Sequence, residues 1–372
     1  MNPSGHSWRC TPLHDVHAAL GASFTGFAGW SMPIRYSSEI AEHKAVRSTA
    51  GLFDLCHMGE LELTGREAGA ALDFALVGRP SKIGVGRARY SMICAEDGGI
   101  LDDLVVYRLA EERFLVVANA ANVLVVRDAL NERASGFDAA VRDASDDWAL
   151  IAVQGPASAE IVSQLTDLDV SALRYYAIDE AVLAGATVLL ARTGYTGEDG
   201  FEVYCRPEDA AAVWAALTEA GEQHGLVPAG LACRDTLRLE AGMPLYGQEL
   251  GRDVTPFEAG LDRVVAFDKD GGFVGEAALA ARRVAGARRT LVGLVSAGRR
   301  SPRAGYPVLD PSTGAQIGRV TSGAPSPTLG RPIAMAYVPV GRDEPGTRLA
   351  VDIRGAAEDV EVVALPFYRR NR

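Results

Sequence analysis

Ala186-Thr-Val-Leu-Leu-Ala191 and Phe201-Glu-Val-Tyr-Cys205 read as two hairpin-like strands, joined through the glycine-rich stretch Arg192-Thr-Gly-Tyr-Thr-Gly-Glu-Asp-Gly200. Strands paired through such a turn run antiparallel. The neighbouring segments follow the same plan. Stretches 148–153 and 177–183 read as further strands, and a helix starts at Gly155-Pro156 and reaches Leu165. Pro207 opens a helix carrying Val213, Trp214 and Leu217, and 230–241 is helical with Leu231, Thr236, Leu237 and Leu239 as its apolar side. Helices mixed with antiparallel strands predict an α+β fold.

Upstream, Thr11-Pro12 has the form of a helix start, with Thr as N-cap and Pro at the first helical position, and Gly21 closes that helix. A second helix is expected over 37–50, with Ile40, Ala41, Val46 and Ala50 on one side and Gly51 as its stop. Residues 60–64, Glu-Leu-Glu-Leu-Thr, alternate at period two and predict a half-buried strand. A helix over 67–76, strands over 90–94, 103–109 and 113–120, and a helix over 122–133 complete this half. From residue 288 the texture changes. Short strands over 289–296, 316–322, 333–338, 349–354 and 360–364 alternate with Gly/Pro turns, and 298–303 and 324–332 read as loops. This pattern predicts a small all-β barrel or sandwich.

The chain has 372 residues, 37 basic against 48 acidic side chains, and a net charge of −11. At 48% hydrophobic and 23% charged it has the composition of a globular protein with a sizeable core, not of a disordered chain. A strongly acidic total argues against nucleic acid or an anionic membrane as main partner, since both attract basic surfaces. Residues 1–10 are polar, so no secretory signal is expected, and no apolar run approaches the roughly 18 residues of a membrane helix. The cysteines Cys10, Cys56, Cys94, Cys205 and Cys233 are odd in number and form no CxxC pair, which argues for a reducing cytoplasm and against a disulfide framework or a zinc site.

The phosphate-loop, dinucleotide-fold, nucleophile-elbow and zincin motifs are missing from the sequence. His14 and His17 form an HxxH pair without an apparent third ligand and read as a solvated helix face, so no metal is expected.

Three segments stand out. In Gly98-Gly-Ile-Leu-Asp-Asp-Leu104 a glycine pair turns the chain and two carboxylates stand where the strand Val105-Val-Tyr107 begins. Adjacent carboxylates at a strand mouth suit proton handling near a nitrogen nucleophile; the same pair also suits a turn cap. In the glycine-rich stretch, alternation points Glu202 away from Phe201 and Val203. There it would either accept paired N–H bonds from an amidine-like edge, such as the 2-amino and N3 positions of a pterin or guanine, or sit solvated at a hairpin tip. In Gly230-Leu-Ala-Cys-Arg-Asp-Thr-Leu-Arg-Leu-Glu-Ala-Gly242, Arg234 and Arg238 share one helix face. They either clamp a carboxylate of a small acidic ligand or form salt bridges with Asp235 and Glu240.

Together and in this order, these segments resemble the T-protein (aminomethyltransferase) family of the glycine cleavage system. Phe27-Ala-Gly-Trp-Ser-Met-Pro-Ile-Arg-Tyr36, Gly51-Leu-Phe-Asp-Leu-Cys-His-Met-Gly59, Asn119-Ala-Ala-Asn122, Thr255-Pro-Phe-Glu-Ala-Gly260 and Pro366-Phe-Tyr-Arg369 add to the resemblance. It implies a three-domain cloverleaf around a central channel for tetrahydrofolate, with a C-terminal all-β barrel. On that plan 1–55 with 145–245 forms a first α+β domain, 56–144 a second, 246–285 a connecting segment and 286–372 the barrel. The implied reaction moves the one-carbon unit from the aminomethyl-lipoyl arm of the H-protein to tetrahydrofolate and releases ammonia. Asp103 matches the catalytic carboxylate and Glu202 the pterin anchor. Tyr90, Asn119 and Tyr195 match the ring pocket, Tyr176 and Arg234 further folate contacts, and Tyr368 and Arg369 contacts from the C-terminal barrel. His57-Met58 matches the channel wall. Cys56 and Arg263 depart from the family pattern, which shows Ser and Trp there. Two alternatives stay open: a folate-dependent demethylase of a small molecule, and a non-enzymatic folate-binding protein, against which Met243-Pro-Leu-Tyr-Gly-Gln-Glu249 argues because it lacks the Lys and Cys of that group's signature.

Overall fold

The computed structural model describes residues 8–370; most of the polar stretch read above as lacking a signal, residues 1–7, lies outside them. The chain divides into two compact units. The first holds the described residues up to 75, with 79–91 and 104–235; the second holds 76–78, 92–103 and the residues from 236 onward.

The first unit is built on a six-stranded sheet in the order Ile178–Leu183, Ala186–Ala191, Gly200–Cys205, Ala149–Gln154, Ala50–Asp54, Leu226–Pro228. Every pair is antiparallel except the last, where Leu226–Pro228 runs parallel to Ala50–Asp54. One face carries Leu52, Ile151, Val153, Val188, Leu190, Phe201 and Val203. Helices Ser158–Ser163 and Ala210–Gly221 cover it with Ile161, Val162, Val213, Trp214 and Leu217. A second, five-stranded sheet runs Arg87–Cys94, Ile100–Ala110, Arg113–Ala118, Gly59–Thr64, Ala140–Asp143.

The second unit contains a closed six-stranded antiparallel barrel in the order Arg289–Ser296, Arg331–Pro339, Gln316–Ser326, Pro307–Leu309, Arg348–Ile353, Ala356–Val363. Closure removes the exposed edges that an open sheet of short strands would leave. Alternate residues Leu294, Val320, Ala334, Ala336, Val338, Val351 and Val362 fill its interior. Ile333 and Met335 face outward and are still buried, packed with Leu239 and Ala324.

The α+β and barrel expectations hold, with local corrections. Thr11 is no N-cap: the helix is His14–Ala19, and the Thr11 hydroxyl donates to Asp54 instead. The helix expected over 37–50 is Glu39–Ser48; Ala50 and Gly51 already belong to a strand, and Ile40 is exposed. Its buried side includes Glu42, whose carboxylate accepts the backbone N–H groups of Tyr36, Ser37 and Gly230. Gly59–Thr64 is covered on both faces rather than one. Glu62 is tolerated there because Arg113 and Arg142 both pair with it. Strand Gln316–Ser326 runs into the stretch read as a loop, and Pro307–Leu309 and helix Glu276–Ala285 were not foreseen.

Candidate active site

In the first unit, Phe201 and Val203 enter the core, and Glu202 between them points the other way and is half-buried. Tyr107, buried on strand Ile100–Ala110, donates its hydroxyl to Glu202 Oε2 at 3.2 Å. The Thr193 hydroxyl makes a short hydrogen bond to the same oxygen. Tyr204 donates in turn to the Tyr107 oxygen at 3.4 Å. Burial pushes both phenols well above their ordinary range, with Glu202 adding to the shift of each, so both stay neutral donors.

The other acids of the glycine-rich stretch serve the loop itself. Glu198 is buried against Arg47, whose guanidinium donates to it at 2.8 Å and to the Thr196 carbonyl at 2.7 Å. Asp199 takes a two-pronged hydrogen bond from Arg192, at 3.1 and 2.6 Å. Gln154 is the post around which the loop winds. Its amide donates to the Thr193 carbonyl at 3.0 Å and accepts from the Thr196 hydroxyl at 2.9 Å. A Cβ at Gly194 would lie 1.9 Å from the Gln154 side chain and one at Gly200 2.3 Å, so a side chain at either position would push the Gln154 amide from its place in the loop.

Tyr195 projects from the same loop, half-buried, and the Arg234 guanidinium lies 4.8 Å from its ring centroid. Within the first unit, then, two expected site residues meet as a stacked cation–aromatic pair. Nearby, burial lowers His57 from 6.5 to about 4, with the Arg234 charge second, and its ring packs edge-on against Phe27. His57 Nδ1 is buried without a hydrogen-bond partner. Met58, next in the chain, is half-buried, as are Tyr90 on Arg87–Cys94 and Asn119 at the end of Arg113–Ala118. Tyr176 is half-buried with φ +59°, a left-handed conformation fixed by its N–H to the Arg192 carbonyl and its carbonyl to Ala88.

In the second unit, Asp102 is fully buried and Asp103, at the next position, half-buried. The turn before them is tightly specified. Gly98 has φ +84°, and a Cβ on Gly99 would stand 2.1 Å from the Arg252 carbonyl oxygen. Asp97 accepts the Gly99 N–H at 3.0 Å and pairs with Arg252. Tyr246 donates to the Ile100 carbonyl at 3.3 Å; burial pushes its phenol up, with the Asp102 charge next and Asp103 adding to it. Arg238 is not a ligand clamp. It is buried, with guanidinium bonds to Glu249 at 2.8 Å, the Ser322 hydroxyl at 2.7 Å and the Met243 carbonyl at 3.3 Å. Glu240, expected as its helix partner, accepts instead from Ser326 and Thr328. The Glu240 carbonyl accepts the N–H of Tyr368 at 2.8 Å; Tyr368 is half-buried and Arg369 exposed.

Two family models cover almost all of the chain: the GCVT N-terminal domain over residues 13–269 and the glycine cleavage T-protein C-terminal barrel domain over 289–369. The chain belongs to the glycine cleavage T-protein family. An aminomethyltransferase of Saccharopolyspora erythraea is 63% identical over 363 residues, 98% of this chain and 99% of the relative. That of Bacillus subtilis is 45% identical over 97% and 99%. Among solved T-protein structures, the glycine cleavage system aminomethyltransferase T of Bartonella henselae superposes with a TM-score of 0.91 at 37% identity, covering 97% of this chain and 98% of that one.

Sequence reasoning missed Tyr107, Thr193 and Gln154 as parts of the Glu202 site. A tyrosine closing the apolar run Leu104-Val-Val-Tyr107 was the available signal, because a buried phenol needs a hydrogen-bond partner. The HxxH reading is corrected. His17 is fully buried, with Nε2 2.9 Å from Asp54 and Nδ1 2.9 Å from the Tyr36 hydroxyl. Among the described residues, no group of three His, Cys, Asp or Glu side chains is placed to hold a metal ion, and no helix is long and apolar enough to cross a membrane.

Proposed function

We propose that this chain, an aminomethyltransferase of the glycine cleavage system, takes the aminomethyl group carried on the lipoyl arm of the H-protein, releases its nitrogen as ammonia and leaves the carbon on tetrahydrofolate. Tetrahydrofolate supplies the nucleophilic nitrogens and accepts the carbon. The observation that carries the reading is the half-buried Glu202 carboxylate, held through one oxygen by two hydroxyls in a family whose substrate presents an amidine-like edge. Such an edge is matched by a carboxylate acceptor, and charge-assisted pairing makes the match strong. Arg234 on the Tyr195 ring offers a cation and an aromatic face to the same ligand. Tyr90, Asn119, Tyr176, Met58, Tyr368 and Arg369 are assigned to folate binding by their motifs.

Asp103 is assigned as the catalytic carboxylate. Its task is electrostatic: to stabilise the positive charge that develops as nitrogen leaves, and to keep the accepting lone pair oriented. With four of its five cysteines buried and no disulfide among them, the chain suits a reducing cytoplasm.

The test is ammonia release from aminomethylated H-protein, measured with and without tetrahydrofolate. Release that depends on folate supports the reading. A donor requirement met by a methylated small molecule instead would replace it with the demethylase. Asp103→Asn is expected to lower turnover about a hundredfold or more with folate affinity similar, and unchanged turnover removes Asp103 from the mechanism.

A further inference from the structure

A carboxylate has four acceptor positions, two on each oxygen. Glu202 Oε2 faces the hydroxyls of Thr193 and Tyr107, which also lie 2.9 Å from each other, so the three oxygens form one cluster on that side of the carboxylate. Each of these donors is itself fixed. The Tyr107 oxygen accepts the Tyr204 proton, which leaves its own proton to face Glu202 Oε2 at 3.2 Å and the Thr193 oxygen, itself a donor to Glu202, at 2.9 Å. Thr193 is buried, and its carbonyl accepts from the Gln154 amide, against which Gly194 and Gly200 pack closely. Glu60 also acts electrostatically on Tyr204, but burial first, then Asp143 and Glu202, push its carboxyl well above the usual range. That shift favours its uncharged form, which adds no repulsion to Glu202.

We propose that Tyr107 and Thr193 are positioning residues that lock Glu202 in one rotamer through Oε2 and commit Oε1 to the ligand, and so set the preference for a ring carrying an amino group beside an N–H. The inference rests on Glu202 being the pterin anchor. A free glutamate would lose rotamer freedom on binding; a clamped one has already lost it in folding, so more of each ligand hydrogen bond appears as affinity. The donors at Oε2 are hydroxyls and not a cation, so no ion pair within the clamp competes with the ligand edge.

The test compares tetrahydrofolate with its 2-desamino-2-methyl analogue, each titrated anaerobically against the full-length native protein, Tyr107→Phe, Thr193→Val, the double variant, Thr193→Ser and Glu202→Ala. The native protein should prefer tetrahydrofolate. Each single hydroxyl deletion should weaken its binding about tenfold, the cost of a lost bond to a charged group. The preference over the analogue should shrink further in the double variant, and Thr193→Ser should stay near native. Turnover at saturating folate should change less than KM. If the variants weaken both ligands equally, the hydroxyls have only a structural role and the proposal fails. It fails also if they keep native affinity and preference while Glu202→Ala loses both. If Glu202→Ala itself binds and discriminates normally, the anchor reading falls, and the clamp with it. Should Tyr107→Phe not fold, Thr193→Val against Thr193→Ser carries the same comparison.

Discussion

His17 Nε2 lies 2.9 Å from Asp54 Oδ2 in a fully buried pair. The carboxylate also accepts the Thr11 hydroxyl at 2.7 Å and the Cys56 N–H at 2.8 Å. Burial pushes the Asp54 carboxyl up, but the His17 hydrogen bond and charge, with Thr11 and Cys56, outweigh it and hold the group below the usual range. One side chain thus ties the first helix, the strand Ala50–Asp54 and the turn that presents His57 and Met58. Asp54→Ala strips three donors of their acceptor at once, and is expected to cost about 3–5 kcal/mol, as breaking a buried ionic network does. Chemical denaturation of the variant checks this; a loss under about 1 kcal/mol, the range of an ordinary surface pair, would show that the network does not hold the elements together.

His57 gives stability a dependence on acid. Its neutral form is favoured in the fold, with its value lowered from 6.5 to about 4 by burial first and then by Arg234. For a base lowered on folding, the unfolded chain binds the proton first. Its contribution is therefore complete above about pH 6.5 and is lost as pH falls toward about 4. Against His57→Gln, which has no such proton, the native protein should lose about 1.4 kcal/mol per pH unit across that window. Denaturation curves at pH 7, 6 and 5 for both proteins measure the difference. Parallel curves would mean that the imidazole is not held neutral.

Glu60 has the opposite sign. It is 1% exposed, its Oε1 has no hydrogen-bond partner, and burial, then Asp143 and Glu202, hold its carboxyl well above the usual 4.5. An acid raised on folding contributes stability that is complete below about pH 4.5 and is lost as pH rises toward the folded-state value. Glu60→Gln keeps the shape without the ionisation. It should be more stable than the native protein at pH 8, by about 1 kcal/mol or more, the scale of one pKa unit. A variant less stable at pH 8 than native would show that Glu60 is ionised and partnered.

Fold class and the facing of Glu202 were legible because they depend on local pattern. Period-two alternation put Phe201 and Val203 inside and Glu202 out, and the Gly/Pro-punctuated strands after residue 288 read as a small barrel or sandwich and close as a barrel. What was not legible depends on partners distant in sequence. Nothing near His17 announces Asp54, 37 positions away, and nothing near Thr193 announces Tyr107, 86 positions away. The strand Gly59–Thr64 alternates like a half-exposed one, yet neighbouring chain covers both faces and its two glutamates take opposite solutions: Glu62 ionised between two arginines, Glu60 neutral. Polar residues in a strand reveal the need for partners, not which partners the tertiary structure supplies.

The helix Leu231–Glu240 carries two arginines four residues apart that sequence alone treats alike. Arg238 donates in fixed directions to the Met243 carbonyl, the Ser322 hydroxyl and the fully buried Glu249. Arg238→Leu leaves that carboxylate without its cation and should cost about 3–5 kcal/mol. Arg238→Lys should recover little, because an ammonium cannot span the acceptors a guanidinium fork reaches. Arg234 is half-buried and lies on the Tyr195 ring. Its cation–aromatic contact is worth about 0.5–1 kcal/mol at such a site, so Arg234→Lys should leave stability nearly unchanged and raise the tetrahydrofolate dissociation constant. Denaturation and folate titration on the same four proteins, native included, separate the two roles. If Arg234→Lys unfolds as easily as Arg238→Leu while binding folate normally, Arg234 is a second structural arginine and leaves the ligand-binding set.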